Sequence, residues 1–264
     1  MIFVRDKGRM CNNILQFGHV YAWAREHGRT AVSMRFAYKY PFFRIRHTRW
    51  HCFATYVFAK YAAKFGLLPV AGFHSANGNP EAQRLLETRN TLVVEGWEVR
   101  FYDLFIKYKK EIINLFAFDP IIVNKVRDIM GGTDAVRIGL HVRRGDYKTW
   151  QGGRYWYTDN QYAEVVRRFA ESNPDRRVDL FVCGNDPNLD SICSVIDPSI
   201  KVIIPHGNPA EDLCMLSECD YIIGAPSTFS LVASMYNDRP LAWIMSPSED
   251  LHFDKFDTLF RHII

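Results

Sequence analysis

Segments of strand length and segments of helix length alternate between residues 135 and 245. Two of the helices open on recognisable caps: Thr158-Asp159-Asn160-Gln161 is a capping box, and Asn208-Pro209-Ala210-Glu211 offers an N-cap residue followed by a proline. Strand and helix alternating in this way predict a parallel, doubly wound sheet. The predicted strands are 135–142, 178–183, 201–204, 221–224 and 241–245.

The first half shows a looser version of the same pattern. Short apolar runs at 2–4 and 91–94 predict strands, and helices are predicted at 12–27, 102–118 and 120–130. Gly131-Gly132-Thr133-Asp134 is predicted to link two domains. The sequence therefore predicts an α/β protein with two Rossmann-like domains facing across a cleft, residues 1–134 and 135–248, and a C-terminal helix at 249–264 that docks on the first domain.

The composition excludes several classes of protein. Of the 264 residues, 48% are hydrophobic and 23% are charged, as in soluble globular proteins. There is no apolar run of about eighteen residues and no signal peptide after Met1, so we expect a cytoplasmic protein. The six cysteines form no Cys-x-x-Cys pair and no zinc-like group with histidine, which predicts reduced thiols and no metal.

Residues 27–80 contain eight Lys or Arg, twelve aromatic residues and no Asp or Glu. Such a stretch suits an anionic partner. We expect membrane phospholipid or a lipid-linked glycan rather than nucleic acid, which would place the protein peripherally at an inner membrane face. The alternative is an ordinary helix over 50–66 that turns Phe53, Val57, Tyr61 and Phe65 to the core and leaves its lysines in water.

One segment is more informative about function than any other: Ile138-Gly139-Leu140-His141-Val142-Arg143-Arg144-Gly145-Asp146-Tyr147. A predicted strand ends at two arginines, and guanidinium groups bind the oxygens of a diphosphate bidentately. Adjacent strand residues point to opposite faces, so the two arginines need not share one role. Arg143 is the first candidate for binding the diphosphate, and Arg144 either binds it as well or has a structural role. The competing interpretation is a surface pair bound to Asp146 and other acids. The adjoining glycine, and His141 on the same face, favour an anion site.

Two further segments follow predicted strands, where open α/β sheets bind ligands. Lys7-Gly8-Arg9-Met10-Cys11-Asn12-Asn13 lies between the first strand and the first helix but does not fit a dinucleotide-binding fingerprint. Ser227-Thr228-Phe229-Ser230 opens a helix, and the hydroxyls and N–H groups there can donate to a phosphate. An ordinary helix cap is the alternative. In one sheet with the arginine strand, we interpret this helix start as a phosphate site.

These segments resemble the alpha-1,2-fucosyltransferases, glycosyltransferase family 11. Residues His141 to Tyr147 are similar to the family's His-x-Arg-Arg-x-Asp-Tyr motif, Phe181 to Asp186 to its second motif, and Asp212 to Ala233 to its third. Val4 to His27 resembles the family's opening segment. Cys11-Asn12-Asn13 stands in place of Gly-Asn-Gln, and Leu231 in place of a tryptophan, which leaves the acceptor and the linkage open.

The resemblance implies a GT-B enzyme of carbohydrate metabolism that moves L-fucose from GDP-fucose to an oligosaccharide acceptor, by analogy alpha-1,2 to galactose, without cofactor or metal. We expect inversion. The resemblance further implies that Asp212 binds guanine, and that His141 contacts fucose or ribose.

The candidate bases are Asp146, Asp6 and Glu95. A transferase using another nucleotide sugar and a catalytically silent binding protein are the alternatives. The predicted donor-binding residues are His141, Arg143, Arg144, Asp186, Asp212, Ser227, Thr228 and Phe229, with Gly8, Asn12 and Asn13 in the first loop and Arg143 and Asp146 as catalytic candidates.

Overall fold

The computed structural model describes residues 1–263, which form two compact units, Met1–Asp119 and Pro120–Ile263. Each unit contains one parallel sheet with helices packed on it. The predicted α/β fold class is therefore confirmed.

The first unit has a four-stranded parallel sheet. Its strands are β1 (Ile2–Val4), β2 (Ala31–Ser33), β3 (Val70–Gly72) and β4 (Leu92–Glu95), and they lie in the order β2-β1-β4-β3. The sequence pattern does not predict β2 and β3, because each has three residues and no alternation of apolar and polar side chains. The elements are β1 (Ile2–Val4), α1 (Met10–Glu26), β2 (Ala31–Ser33), α2 (Phe36–Lys39), α3 (Phe53–Lys64), β3 (Val70–Gly72), α4 (Pro80–Thr88), β4 (Leu92–Glu95), α5 (Tyr102–Lys107) and α6 (Lys109–Leu115).

The second unit has a five-stranded parallel sheet. Its strands are β5 (Val136–Val142), β6 (Val178–Gly184), β7 (Lys201–Ile203), β8 (Tyr221–Gly224) and β9 (Leu241–Trp243). They lie in the order β7-β6-β5-β8-β9, each within two residues of its predicted position. The predicted capping box forms at Thr158, and the predicted N-cap at Asn208 forms a second capping box with Glu211. The elements are α7 (Pro120–Met130), β5 (Val136–Val142), α8 (Asp159–Ser172), β6 (Val178–Gly184), β7 (Lys201–Ile203), α9 (Pro209–Glu218), β8 (Tyr221–Gly224), α10 (Thr228–Asn237), β9 (Leu241–Trp243) and α11 (Phe260–Ile263).

The second unit begins earlier than predicted. Helix α7 packs on α9, and the Lys125 ammonium donates to both carboxylate oxygens of Glu211, at 2.8 and 2.9 Å. The predicted linker at 131–134 is therefore a loop inside the second unit, and the division of the chain falls between Asp119 and Pro120.

The C-terminal segment is predicted to dock on the first unit, and this prediction is wrong, because the segment packs on the second unit. The rings of Phe253 and Phe256 contact Phe169 of α8 and Tyr221 of β8, with centroids 4.7 to 5.8 Å apart. These apolar side chains complete the core beside the five-stranded sheet. The last residue of the predicted 249–264 segment, Ile264, lies outside the described residues.

Helix α3 presents a different face to the core from the one predicted. Its buried residues are Ala59 and Ala62, whereas Phe53, Tyr61 and the following Phe65 are exposed. No helix among the described residues is both long and apolar enough to cross a bilayer.

We predict that Gly139→Ala destabilises the second unit. A Cβ at Gly139 of β5 would lie 2.7 Å from Leu216 Cδ2 and 3.2 Å from Cys219 Sγ, where α9 closes on the sheet. Overpacking of this kind costs about 1–3 kcal/mol. Urea denaturation would measure the loss. Gly132→Ala is the matched control, because a Cβ there meets open space; a similar loss in both variants would contradict the packing explanation.

Candidate functional site

Two of the predicted segments meet at one edge of the five-stranded sheet. His141, near the end of β5, pairs with Gly224, the last residue of β8, and α10 starts four residues after that glycine. The rings of His141 and Phe229 stack with centroids 4.9 Å apart. The carboxyl end of β5 therefore lies beside the N-terminus of α10, as the sequence predicts for parallel neighbours.

Arg143 is held next to the start of α10 by Tyr147. The guanidinium carbon of Arg143 lies 4.8 Å from the centre of the Tyr147 ring. The Tyr147 hydroxyl donates to the carbonyl oxygen of Pro226 at 2.5 Å, one residue before the helix cap Ser227. Aromatic and hydrogen-bonded contacts thus fix a cation at a helix N-terminus, and both attract anions.

Asp146 forms an ion pair with the guanidinium of Arg143. Arg143 Nη2 lies 2.7 Å from Asp146 Oδ1. The Asp146 side chain is 51% exposed, whereas that of Arg143 is 11% exposed, so only the carboxylate of the pair lies mostly in water. The carboxylate can swing into solvent, and an incoming phosphate can then take its place as the partner of Arg143.

Ser227 caps α10 as the sequence predicts. Its hydroxyl oxygen accepts from the N–H of Phe229 at 3.2 Å, and both residues are half-buried, as is Thr228. Ordinary capping and anion binding are compatible here, because a helix of ten residues has further N–H groups at its first turn.

Arg144 forms an ion-pair network inside the second unit, which is the structural alternative that the sequence offers for this residue. The side chain is buried and bridges Asp159 and Asp186, the latter at 2.6 Å, while its Nε donates to the carbonyl oxygen of Tyr157 at 3.0 Å. Asp186 also accepts from the N–H of Asn188. Arg144 and Asp186 are thus bound to each other and to the backbone around them, and their predicted role in donor binding stays a prediction.

His141 is buried against Phe229. Burial, with the charge of Arg143 second, lowers the pKa of His141 to about 3, so the ring is neutral at physiological pH. Its Nδ1 has no hydrogen-bond partner among residues 1–263. His141 therefore supports Phe229 at the first turn of α10, and its contact with fucose or ribose stays a prediction.

Asp212 is a half-buried carboxylate in the first turn of α9. Burial, followed by the charge of Glu211, raises the pKa of Asp212 to about 7. Its backbone oxygen accepts a weak bond from the Cys183 thiol at 3.7 Å, which places it beside the end of β6. Within the described part of the chain, no group donates a hydrogen bond to the Asp212 side chain. A ligand whose N–H groups donate to this carboxylate would therefore stabilise its ionised form.

The predicted loop after β1 belongs to the first unit. Gly8 has a φ of +78°, and a Cβ there would lie 2.6 Å from Asn12 Nδ2, so only glycine fits. The buried Asn13 accepts from the Lys7 N–H at 2.7 Å, and its Nδ2 has no partner among the described residues. The loop therefore has a defined conformation, and the side-chain amide of Asn13 donates to no described residue.

The remaining candidate bases also lie in the first unit. Asp6 accepts from the N–H of Arg35 at 3.1 Å and from the Ser33 hydroxyl at 3.3 Å, and burial raises its pKa. Glu95 forms an ion pair with Arg5. The choice among Asp146, Asp6 and Glu95 stays open.

The structure adds residues that the sequence pattern does not identify. Asp159 and Asn185 complete the Arg144 network, Asn185 by accepting from the Arg144 N–H at 2.9 Å. The Tyr162 hydroxyl accepts from the Arg143 N–H at 3.0 Å. Tyr147 and Asn185 fall within the recognised motifs, whereas Asp159 and Tyr162 carry no local signal.

Among residues 1–263 no three His, Cys, Asp or Glu side chains group as metal ligands.

We predict that Arg144→Met destabilises the second unit by about 3–5 kcal/mol, because it leaves two carboxylates facing each other without their cation. Urea denaturation would measure the change. Arg154→Met, at an exposed arginine, is the control, and adding Asp186→Asn to Arg144→Met should recover part of the loss. Equal stability of Arg144→Met and Arg154→Met would show that the network is not structural.

No protein-family model matches the chain. Galactoside 2-alpha-L-fucosyltransferase Sec1 of Mus musculus is 25% identical over 261 residues, an alignment that covers 89% of this chain. The chain spans 64% of the length of Sec1. The resemblance to the alpha-1,2-fucosyltransferases is thereby confirmed, at the distance of a divergent relative.

Solved structures confirm the GT-B-like fold. An Arabidopsis thaliana FUT1 mutant in complex with GDP superposes with a TM-score of 0.64 at 13% identity, covering 97% of this chain and 72% of that one. NodZ alpha-1,6-fucosyltransferase soaked with GDP-fucose gives 0.59 at 15% identity, covering 92% and 94%. POFUT1 in complex with GDP gives 0.57 at 15% identity, covering 95% and 97%.

Proposed function

We propose that this protein is a fucosyltransferase that takes L-fucose from GDP-fucose and transfers it to a hydroxyl of a glycan. The observation that carries the proposal is Arg143, fixed by Tyr147 at the N-terminus of α10. This is a site for a diphosphate, built from the motif that resembles the fucosyltransferases. The name of Sec1 supports galactose as the acceptor and alpha-1,2 as the linkage.

The chemistry requires a cation at the leaving group. The acceptor oxygen attacks C1 of fucose, the bond from C1 to the β-phosphate oxygen breaks, and GDP leaves with the electron pair. The acceptor proton passes to a base. Negative charge therefore grows on the diphosphate in the transition state, where Arg143 and the N–H groups of α10 stabilise it most. In this proposal they do so without a metal ion.

Asp212 is the proposed guanine-binding residue. Guanine presents a ring N–H and an amino group side by side, and a carboxylate accepts both. The Asp212 side chain has unfilled acceptor capacity, and its raised pKa shows the cost of the unpaired charge. Uracil has no matching pair of donors next to each other, so the same residue accounts for a preference for GDP over UDP.

Turnover of GDP-fucose tests the proposal. We would incubate the protein with GDP-fucose and with galactose-, N-acetylglucosamine- or mannose-terminated oligosaccharides and measure GDP release and glycan mass. Fucosylation of the galactose-terminated acceptor in the presence of EDTA is the expected result. Turnover only with another nucleotide sugar would overturn the donor assignment, and binding of GDP-fucose without any hydrolysis or transfer would identify a silent binding protein.

We predict that Arg143→Ala lowers kcat on the order of 10²-fold or more, because it removes the cation that stabilises the departing phosphate. Arg154→Ala is the matched control for loss of one positive charge. Steady-state kinetics with GDP-fucose would measure both. A kcat near that of the unmodified protein would remove Arg143 from the reaction.

We predict that GDP binds more tightly as pH rises through about 7, because Asp212 must be ionised to accept both guanine donors. Asp212→Asn should weaken binding and abolish this pH dependence. Since burial raises the folded pKa of Asp212 above its unfolded value, the fold loses stability as the pH rises from about 4 to about 7, so Asp212→Asn should raise the Tm at about pH 8.5 and leave it nearly unchanged at about pH 4.

Calorimetric titration and thermal unfolding measure the two effects of Asp212→Asn. The exposed Asp254→Asn is the control. If Asp212→Asn bound GDP as tightly as the unmodified protein, the guanine assignment would fail, while a change in Tm alone would still report the buried charge.

A further inference from the structure

Helix α3 and the turn after it expose large apolar side chains. Phe53, Phe58, Phe65 and Leu67 are exposed to 62%, 59%, 69% and 76%, and Tyr61 to 44%. We call these five residues, with Lys60 and Lys64, the α3 surface. Single exposed apolar residues are common on soluble proteins, but a group of five on neighbouring turns marks an interaction site.

The exposed aromatic residues lie on one side of the helix. At about 100° per residue, Phe53, Phe58, Tyr61 and the position of Phe65 fall within an arc of about 140°. The opposite side holds Ala59 and Ala62, which are buried against the sheet. The helix thus packs on the core through its small residues and turns its largest ones outward, the reverse of an ordinary surface helix.

Two lysines flank the aromatic side. Lys60 lies 5.5 Å from the ring centres of Tyr56 and Tyr61, and Lys64 lies 6.0 Å from that of Phe65. Within the described chain, neither lysine forms an ion pair. Residues 27–80 include no carboxylate at all, so no acid on this stretch opposes an anionic partner.

A basic groove runs beside the same helix. It has a volume of about 630 Å³, enough for a phosphate headgroup, and the Arg5–Glu95 ion pair lies in its wall. Four cations and two carboxylates line it, so positive charge is in excess. The charged lining residues are Arg5, Asp6, Arg35, Lys60, Lys64 and Glu95.

We infer that the α3 surface docks on the surface of an anionic phospholipid bilayer, with α3 lying in the interface plane. Aromatic residues partition into the headgroup and upper acyl region, and lysines on the flank of such a helix reach the phosphates. The combination of an apolar arc, flanking lysines and a stretch without carboxylates complements an anionic lipid surface in both polarity and charge.

Vesicle co-sedimentation tests the inference. The full chain would be mixed with vesicles of phosphatidylcholine alone and with vesicles that also contain phosphatidylglycerol. We expect binding to the anionic vesicles, weakened by added salt. Phe65→Ser with Leu67→Ser, and separately Lys60→Glu with Lys64→Glu, should each lower the partition coefficient by about tenfold or more. Ile121→Ser and Lys110→Glu, on other exposed surfaces, are the matched controls and should bind normally.

Unchanged Tm and an unchanged thermal shift with GDP would show that each variant is folded, independently of whether the protein transfers fucose. Failure of the unmodified protein to bind anionic vesicles, or equal binding by the Phe65→Ser, Leu67→Ser variant, would overturn the inference. A dimer in light scattering that dissociates in the same variant would assign the surface to a second copy of the chain instead.

Discussion

The buried guanidinium of Arg144 fixes the geometry on which the site depends. It ties the end of β5 to Asp186 after β6, to Asp159 at the start of α8 and to the backbone at Tyr157. Three chain segments are thereby held at one edge of the sheet. Desolvating a guanidinium is tolerable only when such partners surround it, so the strand end has a single favourable conformation.

Two adjacent arginines consequently do different work. Arg144 binds acids in the interior, whereas the adjacent Arg143 lies against Tyr147, whose hydroxyl binds the backbone just before α10. The Asp146 partner of Arg143 is half exposed and can be exchanged for a ligand. The same short motif therefore supplies both the structural arginine and the arginine proposed to bind the anion.

Local signals account for what the sequence predicts well. The caps at Thr158 and Asn208 and the strand Tyr221–Gly224 are specified within a few residues, so they are readable directly. The Arg144 pairs join residues 15 and 42 positions apart, and no local pattern contains them. Periodicity likewise identifies α3 but not which of its faces meets the core, since its aromatic and alanine sides repeat with the same spacing.

If Asp212 binds guanine as proposed, nucleotide binding is linked to release of a proton. A carboxyl group with a pKa near 7 carries about half a proton at neutral pH, and a guanine that binds only the ionised form would release that fraction into solution. The apparent heat of complex formation would then vary with the ionisation enthalpy of the buffer, and local acidity would tune occupancy without altering a single contact.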